Sequence, residues 1–368
     1  MTIRVWDYQR EYEAEADDIR AGIEKVLRSG CLILGESGKA FEAAFAAYCK
    51  RRQGVGVNSG TDALFLALKA LAIGPGDEVI TVSNTAIPTV AAVVSTGATP
   101  KFVDIDPRTY LMDVGRLAAA ITPRTRCVLP VHLYGQCVDM MGVERVARKH
   151  QLHVIEDCAQ SHGAMQQGRL AGAMSDVAAF SFYPTKILGA YGDAGMVITD
   201  DDDIAARVRR LRVYGTEERY YAIEHGYNSR LDEIQAEILL RKLPRIAAYI
   251  SRRQALARRY DERLALTSLA LPHTVPGNTH VHYLYVVRHP RRDEIVGRLA
   301  DRGIRVNISY PWPVHTMAGY AFLGGRTGDL PETEAAASEI FSLPMYPTLN
   351  DDEQDRVCDA LVEICGVL

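Results

Sequence analysis

The chain has 368 residues, a length that suits two domains of ordinary size. Its 42 basic and 46 acidic side chains give a net charge of −4, which argues against the nucleic-acid backbone as a main ligand. With 48% hydrophobic and 24% charged residues, the composition is typical of a folded globular protein and excludes wholesale disorder.

Two features bear on cellular location. Residues 1–20 carry many charges and no apolar segment, so no secretory signal is predicted. Residues 80–100 have no charge, but Asn84, Pro88 and Gly97 divide them into a strand, a turn and a short helix rather than a membrane span. The seven cysteines form no Cys-x-x-Cys pair, which favours a reducing compartment. We therefore predict a cytoplasmic protein without a membrane partner.

Helices and strands alternate along the first two thirds of the chain. Apolar residues at helical spacing predict helices over residues 35–50, 61–72 and 142–149. Short apolar runs predict strands over residues 55–57, 78–82, 101–103, 127–131, 153–155, 177–182 and 196–199. This alternation predicts an α/β fold, with a mostly parallel sheet covered by helices on both faces.

The pattern changes after Leu243-Pro244. A long Arg-rich segment predicts a helix over residues 245–266. The remaining patterns predict strands at 282–287 and 303–308, and helices at 292–302 and 351–365. We therefore predict a large domain over residues 1–245 and a smaller α+β domain over residues 246–368. The acidic run at 200–203 predicts the solvated start of a helix.

The candidate catalytic and binding residues lie directly after predicted strands. Ligands of parallel sheets bind at this place, beyond the strands' carboxyl ends. Ser59-Gly60-Thr61 opens a helix, where free amides hold a phosphate or the residues simply cap the helix. Asp157 ends a buried strand, so it needs either a structural partner or a protonated heterocyclic nitrogen. Lys186 lies between a buried strand and a glycine-rich loop, where a partly desolvated amine attacks carbonyl carbons. Together these three features are what pyridoxal phosphate requires.

These residues belong to a longer series of motifs, from about residue 30 to 361, that resembles the DegT/StrS family of sugar aminotransferases. Each motif alone is of modest specificity, but their order and spacing together are highly specific. The motifs are Asn58-Ser-Gly-Thr-Asp-Ala63, Gly76-Asp-Glu-Val-Ile80, Gly97-Ala-Thr-Pro100, Val103-Asp-Ile-Asp106, Val131-His-Leu-Tyr-Gly-Gln136, Glu156-Asp-Cys-Ala-Gln160, Ser181-Phe-Tyr-Pro-Thr-Lys186, Gly226-Tyr-Asn-Ser-Arg230 and Tyr310-Pro311.

The resemblance implies the aspartate-aminotransferase fold (fold type I) and pyridoxal 5′-phosphate as cofactor. Lys186 would form the imine with the cofactor and then move a proton as general base. Asp157 would bind the pyridine nitrogen, and Gln160 would lie near the phenolic oxygen of the ring. Members of this family are homodimers with shared sites, so the phosphate would be held by residues of two subunits. These are Gly60, Thr61 and Ser181, with Asn228 from the second subunit.

Further residues are expected at the substrate or depart from the family pattern. By resemblance, His132 lines the site, and Tyr310 and His315 are candidates to face the substrate. His280 and His282 are two residues apart, which predicts that they share one face of a strand, as a pair of metal ligands would. No metal is predicted, because the sequence indicates no third ligand. The family often places an aromatic residue on the cofactor ring at a position that falls on Ala86 here, so the group that stacks on the ring is not identified.

The resemblance implies an aminotransferase that moves an amino group from L-glutamate to a nucleotide-linked keto-6-deoxyhexose in amino-sugar biosynthesis. A dTDP-linked sugar is favoured, with amination at C3 preferred to C4. Two alternatives keep the cofactor: a sugar dehydratase, although relatives of that kind have histidine in place of the lysine, and a cyclitol aminotransferase. A third alternative is a non-catalytic regulatory protein that binds a sugar nucleotide.

Overall fold

A computed structural model describes residues 2–367; Met1 and Leu368, and with them the outer ends of both predicted domains, lie outside the described residues. The helices are α1 Tyr8–Ser29, α2 Glu36–Tyr48, α3 Gly60–Ala70, α4 Ile87–Ser95, α5 Leu117–Ala120, α6 Met140–His150, α7 Asp202–Leu211, α8 Glu233–Lys242, α9 Ile246–Leu264, α10 Arg292–Asp301, α11 Pro331–Glu339 and α12 Asp351–Gly366. The strands are β1 Gln53–Val57, β2 Glu78–Val82, β3 Thr99–Val103, β4 Thr125–Val128, β5 His153–Asp157, β6 Met165–Gln166, β7 Arg169–Leu170, β8 Val177–Ser181, β9 Gly195–Thr199, β10 Thr216–Glu218, β11 Tyr221–Ala222, β12 Asn278–Thr279, β13 Tyr285–Arg288 and β14 Ile340–Leu343.

Seven strands form the central sheet, in the order β1-β9-β8-β5-β4-β2-β3. Only β9 runs against its neighbours, and every other adjacent pair is parallel. Strands β2 and β8 are buried along their whole length, as expected for apolar strands between two layers of helix. Helices α2, α3, α6 and α7 pack against the sheet. The predicted α/β fold with a mostly parallel sheet is confirmed.

The topology brings three strand ends to one edge of the sheet. Strands β5 and β8 are parallel neighbours. Strand β1 shares their direction, because β1 and β8 are each antiparallel to the β9 strand between them. The segments that begin at Asn58, Cys158 and Phe182 therefore start at the same edge, where ligands of parallel sheets bind.

The chain after α8 builds a second hydrophobic cluster. Helices α9, α10 and α12 surround the antiparallel pair β13 and β14, and large side chains such as Tyr260, Tyr285 and Phe341 are fully buried among them. Ile3 also belongs to this cluster, whereas Val281 belongs to the cluster around the central sheet. The division into residues 1–245 and 246–368 stays a prediction, since both ends of the chain contribute to the second cluster.

Two predicted features of the C-terminal part are wrong. Residues 303–308 form no strand: Ile304 pairs only with Ile3, and Asn307 only with Ser342, so two single bridges on different partners replace a ladder. His280 and His282 do not share a strand face. A left-handed backbone at His282 (φ +48°) turns the chain, and the two imidazole rings stack 3.9 Å apart. Strand β13 begins only at Tyr285.

Other local predictions are confirmed. Residues 80–100 contain the end of β2, the short helix α4 and the start of β3. The acidic run opens α7, where the Asp201 side chain caps the helix by accepting hydrogen bonds from two amides. Within residues 2–367, no helix combines the length and the apolar character that crossing a bilayer requires.

Candidate active site

A cavity of about 340 Å³ opens at the sheet edge where β1, β5 and β8 end. Its walls come from the turn before α3, the start of α4, the segments after β5 and β8, and Tyr283. The cavity brings together six of the residues predicted to bind the cofactor, namely Gly60, Thr61, Asp157, Gln160, Ser181 and Lys186. Residues far apart in the sequence thus converge on one site large enough for a small ligand.

The N-terminus of α3 forms one end of this cavity. The Ser59 hydroxyl caps the helix by accepting the Asp62 amide at 3.1 Å, and the first backbone bond of the helix runs from Ala63 N to Ser59 O. The amides of Gly60 and Thr61 precede these bonds, at the positive end of the helix dipole. A Cβ at position 60 would lie 2.5 Å from Ser181 Cβ, so only glycine lets the turn approach Ser181 this closely. These residues fit a phosphate group.

Replacing Gly60 with alanine is expected to weaken cofactor binding about tenfold or more, because the new methyl group must push Ser181 or the helix start out of place. Equilibrium dialysis of the cofactor-free protein against pyridoxal phosphate measures the change in Kd. The matched control is Gly297→Ala in α10, where an added Cβ meets nothing within 4 Å. An unchanged Kd in Gly60→Ala would show that the tight approach to Ser181 does not matter for binding.

Asp157 is the buried carboxylate of the site. Its Oδ2 accepts a hydrogen bond from Thr89 Oγ1 at 2.8 Å, and its Oδ1 accepts one from the Ala159 amide at 3.1 Å. Burial raises the pKa of Asp157, although these two donors and the Lys186 charge act in the opposite direction. A protonated ring nitrogen in the cavity would supply the close positive charge that a buried carboxylate needs. The carboxylate therefore fits a pyridinium partner.

Gln160 is held by two hydrogen bonds that fix its amide. Its Oε1 accepts from the Tyr134 backbone amide at 2.8 Å, and its Nε2 donates to the Tyr310 hydroxyl at 2.7 Å. Tyr310 itself has a left-handed backbone (φ +70°) and lies parallel to the Tyr134 ring at 6.3 Å. Tyr310 was expected to face the substrate; the structure places its hydroxyl on Gln160.

Lys186 is half-buried on the wall of the cavity. Its Nζ lies 4.6 Å from the centre of the Tyr283 ring, and its backbone amide bonds to Tyr183 O at 2.8 Å. The Tyr283 hydroxyl is 3.1 Å from Thr185 Oγ1. Burial acts to raise the pKa of Tyr283, but the Lys186 charge and the Thr185 hydroxyl hold it below its ordinary value. The amine thus has an aromatic neighbour and an open face toward the cavity.

Two histidines expected at the substrate are instead buried, with both ring nitrogens bonded. His132 Nε2 is 2.9 Å from Glu156 Oε2, and its Nδ1 accepts the Val138 amide. His315 Nδ1 is 2.8 Å from the Ser83 hydroxyl, and its Nε2 is 3.1 Å from Glu334. Neither ring lines the cavity, because both rings are used to join segments of the fold. Their roles toward the substrate stay predictions.

A cluster of possible metal ligands lies beside the site. His132, Glu156 and Cys158 are the one such group of three within residues 2–367. The Glu156 oxygens already accept hydrogen bonds from His132, from the amides of residues 172 and 174 and from the Ser175 hydroxyl. The pKa of Glu156 is lowered by these donors, His132 first, despite the burial that opposes them. Hydrogen bonds thus occupy both His132 nitrogens and both Glu156 oxygens, so these two side chains have a structural role that needs no metal.

Two further positions that the sequence singled out are Asn228 and Ala86. Asn228 is exposed and does not line the cavity of its own chain; its backbone forms a bridge with Val213. Its role toward a second subunit stays a prediction. Ala86 does line the cavity, so the small side chain leaves that wall open.

The sequence did not indicate three side chains of the site. Thr89 was not singled out, yet it holds Asp157, and Thr185 and Tyr283 were not singled out as partners of Lys186. Threonine at a helix start and tyrosine before a strand are ordinary in sequence, so no local signal distinguishes them. Only the tertiary contacts reveal their place.

Several known proteins are similar to this chain over its full length. The dTDP-3-amino-3,4,6-trideoxy-α-D-glucose transaminase of Micromonospora megalomicea subsp. nigra is 56% identical, and the alignment covers 99% of each chain. A protein named pleiotropic regulatory protein, from Geobacillus stearothermophilus, is 42% identical over 99% of this chain and 98% of its own.

Solved structures agree with these similarities. S. venezuelae DesV, crystallised in complex with a ketimine intermediate, is 45% identical and superposes with a TM-score of 0.97, covering 99% of this chain and 98% of its own. NtdA from Bacillus subtilis, with the cofactor PMP bound, is 32% identical and has a TM-score of 0.90, covering 96% of this chain and 82% of its own.

The model of one protein family matches residues 13–362, which is nearly the whole chain. The match agrees with the motifs found in the sequence, with the sheet topology and with the convergence of a lysine, a buried carboxylate and a helix N-terminus on one cavity. The chain belongs to the DegT/DnrJ/EryC1/StrS aminotransferase family.

Proposed function

We propose that this protein is a pyridoxal-phosphate aminotransferase that transfers an amino group from L-glutamate to C3 of a dTDP-linked 3-keto-4,6-dideoxyhexose. Aminotransferase activity and the cofactor, both predicted from the sequence, are confirmed by the family and by its solved members. The choice of sugar is supported by the 56% identical Micromonospora relative, which is named as a transaminase of such a dTDP-linked sugar. L-glutamate as amino donor stays a prediction.

The proposal depends mainly on three groups that line one cavity. Lys186, Asp157 and the N-terminus of α3 face the same space. An amine, a buried carboxylate and a set of helix amides are the three groups that an aldehyde, a pyridine ring and a phosphate would need. Lys186 also distinguishes the chain from the related dehydratases, in which histidine replaces this lysine.

When bound, pyridoxal phosphate supplies an aldehyde that captures amines and a ring that withdraws electrons from them. The amides of Gly60 and Thr61 and the hydroxyl of Ser181 would bind its phosphate. Asp157, ionised, would hold a proton on the ring nitrogen. Lys186 would take a proton from the substrate carbon and return it elsewhere, which is the work of a general base and then a general acid.

The finer proposals concern partners and location. We infer a homodimer in which Asn228 reaches the site of the other subunit, supported by its exposure outside its own cavity. The cytoplasm is proposed on the seven cysteines, each of which is a free thiol. Neither nucleic acid nor membrane is proposed as a partner, in keeping with the net charge of −4.

The decisive experiment follows the visible absorbance of the cofactor-loaded protein. L-glutamate is expected to bleach the visible band, and a keto sugar that is a substrate is expected to restore it. A panel of dTDP-, UDP- and GDP-linked 3-keto and 4-keto sugars then identifies the acceptor, and the dTDP-linked 3-keto sugar should restore the band fastest.

The outcomes of this experiment also separate the alternatives. A yellow protein that glutamate does not bleach would contradict the proposal and favour a regulatory role such as the name of the Geobacillus relative suggests. Fastest recovery with a 4-keto sugar or a cyclitol ketone would keep the reaction and overturn the proposed substrate.

A further inference from the structure

Tyr283 reaches the active-site cavity from the C-terminal part of the chain. Its backbone is anchored on two sides, because its carbonyl accepts a hydrogen bond from Arg253 at 3.1 Å and the next amide, of Leu284, bonds to Tyr134 O at 3.3 Å. Gly135 packs so closely that a Cβ there would lie 2.9 Å from Tyr283 N. The tyrosine therefore projects from a fixed backbone, with only 9% of its surface exposed.

The side chain of Tyr283 contacts two consecutive residues of the segment after β8. Its hydroxyl lies 3.1 Å from Thr185 Oγ1, and its ring centre lies 4.6 Å from Lys186 Nζ. Two fixed points, the backbone and the Thr185 hydroxyl, thus hold the ring against the amine. A surface cation–π pair would lack this second anchor.

Lys186 has to pass through a charged form if it acts as the base of the proposed reaction. When a C–H bond breaks, its electron pair stays with the carbon acid and an N–H bond forms on Nζ, which leaves an ammonium. That ammonium is half-buried, so water solvates it only in part. An aromatic face within 6 Å stabilises a desolvated ammonium appreciably.

We propose that Tyr283 is a positioning residue for Lys186, with its ring supporting the ammonium form and its hydroxyl fixed by Thr185 so that the ring stays against Nζ. This inference rests on the proposed function, because it concerns the lysine that the reaction uses. The other charged or titratable groups that act on Lys186 or Tyr283 are Asp157, His162, Arg253 and Tyr310; Arg253 holds the Tyr283 backbone, and Asp157 lines the same cavity. Lys186 also lines a second cavity, together with Glu11, Glu15, Lys242 and Arg253.

The test compares Tyr283→Leu, Tyr283→Phe and Thr185→Val in the cofactor-loaded protein. The first readout is the pH midpoint of the visible absorbance, which reports protonation at Nζ and is independent of turnover. Loss of the ring in Tyr283→Leu removes support from the charged form, so the midpoint should fall by about one pH unit. Tyr283→Phe keeps the ring and should shift the midpoint by less than half as much.

The second readout is the rate at which L-glutamate bleaches the visible band. For Tyr283→Leu we expect roughly a tenfold loss of the maximal rate with little change in the glutamate concentration at half-maximal rate. The matched control is Tyr220→Leu, whose side chain is 89% exposed, and it should change neither readout. A wild-type midpoint in Tyr283→Leu would overturn the proposal.

A double variant keeps the proposal testable if Tyr283→Leu does not fold. Because the hydroxyl is proposed to act through Thr185, Tyr283→Phe/Thr185→Val should shift the midpoint no more than either single change. Additive shifts would contradict this. Failure of the wild-type protein to bleach with glutamate would instead defeat the proposed function itself, so the two failures are distinguishable.

Discussion

Replacing Lys186 with alanine is expected to lower transamination by about 10⁴-fold or more while leaving the fold intact. The side chain is half-buried, and its principal side-chain contact is the face of the Tyr283 ring. The change therefore removes the amine together with its contacts to the Tyr283 side chain, and leaves the backbone hydrogen bond of residue 186 in place. Activity is measured by the amount of 2-oxoglutarate formed from L-glutamate, and the fold by circular dichroism and thermal unfolding.

Two comparisons make this result specific to the amine. Lys149→Ala removes an exposed lysine near the end of α6 and should retain full activity. Added methylamine should restore part of the activity of Lys186→Ala, because the alanine leaves space for a small amine at the same point. Full activity in Lys186→Ala would end the assignment of the reaction to this lysine.

The strands and the main helices could be predicted from the sequence because their signal is local. The run Glu78 to Val82 is rich in β-branched residues, and β2 has these bounds in the structure. Segment 303–308 looks equally β-rich, but its residues find two different partners and form no ladder. Helix α1 escaped prediction because most of its residues are polar and only a narrow apolar face is buried.

Some residues of the candidate site could likewise be predicted from local sequence, and others could not. Gly60, Asp157 and Lys186 follow strands, so their place at one edge of the sheet could be inferred from the order of elements alone. The roles of His132 and His315 could not be assigned from the sequence. Each ring contacts a carboxylate that lies far from it along the chain: Glu156 is 24 residues from His132, and Glu334 is 19 residues from His315. The contact of Tyr283 with Lys186 also joins residues far apart in the sequence, so it could not be predicted.

The amide variant Asp157→Asn is expected to lower transamination by roughly 10²- to 10³-fold. Asparagine has the shape of aspartate and still accepts the Ala159 amide bond, while Thr89 Oγ1 turns its hydroxyl to accept from the new NH₂ group. The negative charge is lost, so nothing in the variant keeps a ring nitrogen protonated. Single-turnover bleaching by L-glutamate measures the loss, and Lys186 remains in place to bind the cofactor.

The same substitution, Asp157→Asn, is expected to maintain or raise the stability of the cofactor-free protein, although it lowers activity. Burial raises the pKa of Asp157, so between its unfolded and folded pKa values the folded protein binds more protons at this carboxyl than the unfolded chain does. Stability from this group is therefore lost as the pH rises through that window, and at pH 7 the ionised carboxylate is a net cost. Asp157→Asn escapes the cost, so its urea midpoint at pH 7 should equal or exceed that of the wild type.

These two results together identify a residue that is kept for function at the expense of stability. A structural aspartate would give the reverse pattern, with a lower urea midpoint in Asp157→Asn and near-normal bleaching by glutamate. Adding pyridoxal phosphate provides the last check. The cofactor should raise the urea midpoint of the wild type more than that of the variant, because only the wild type gains a pyridinium partner for its carboxylate.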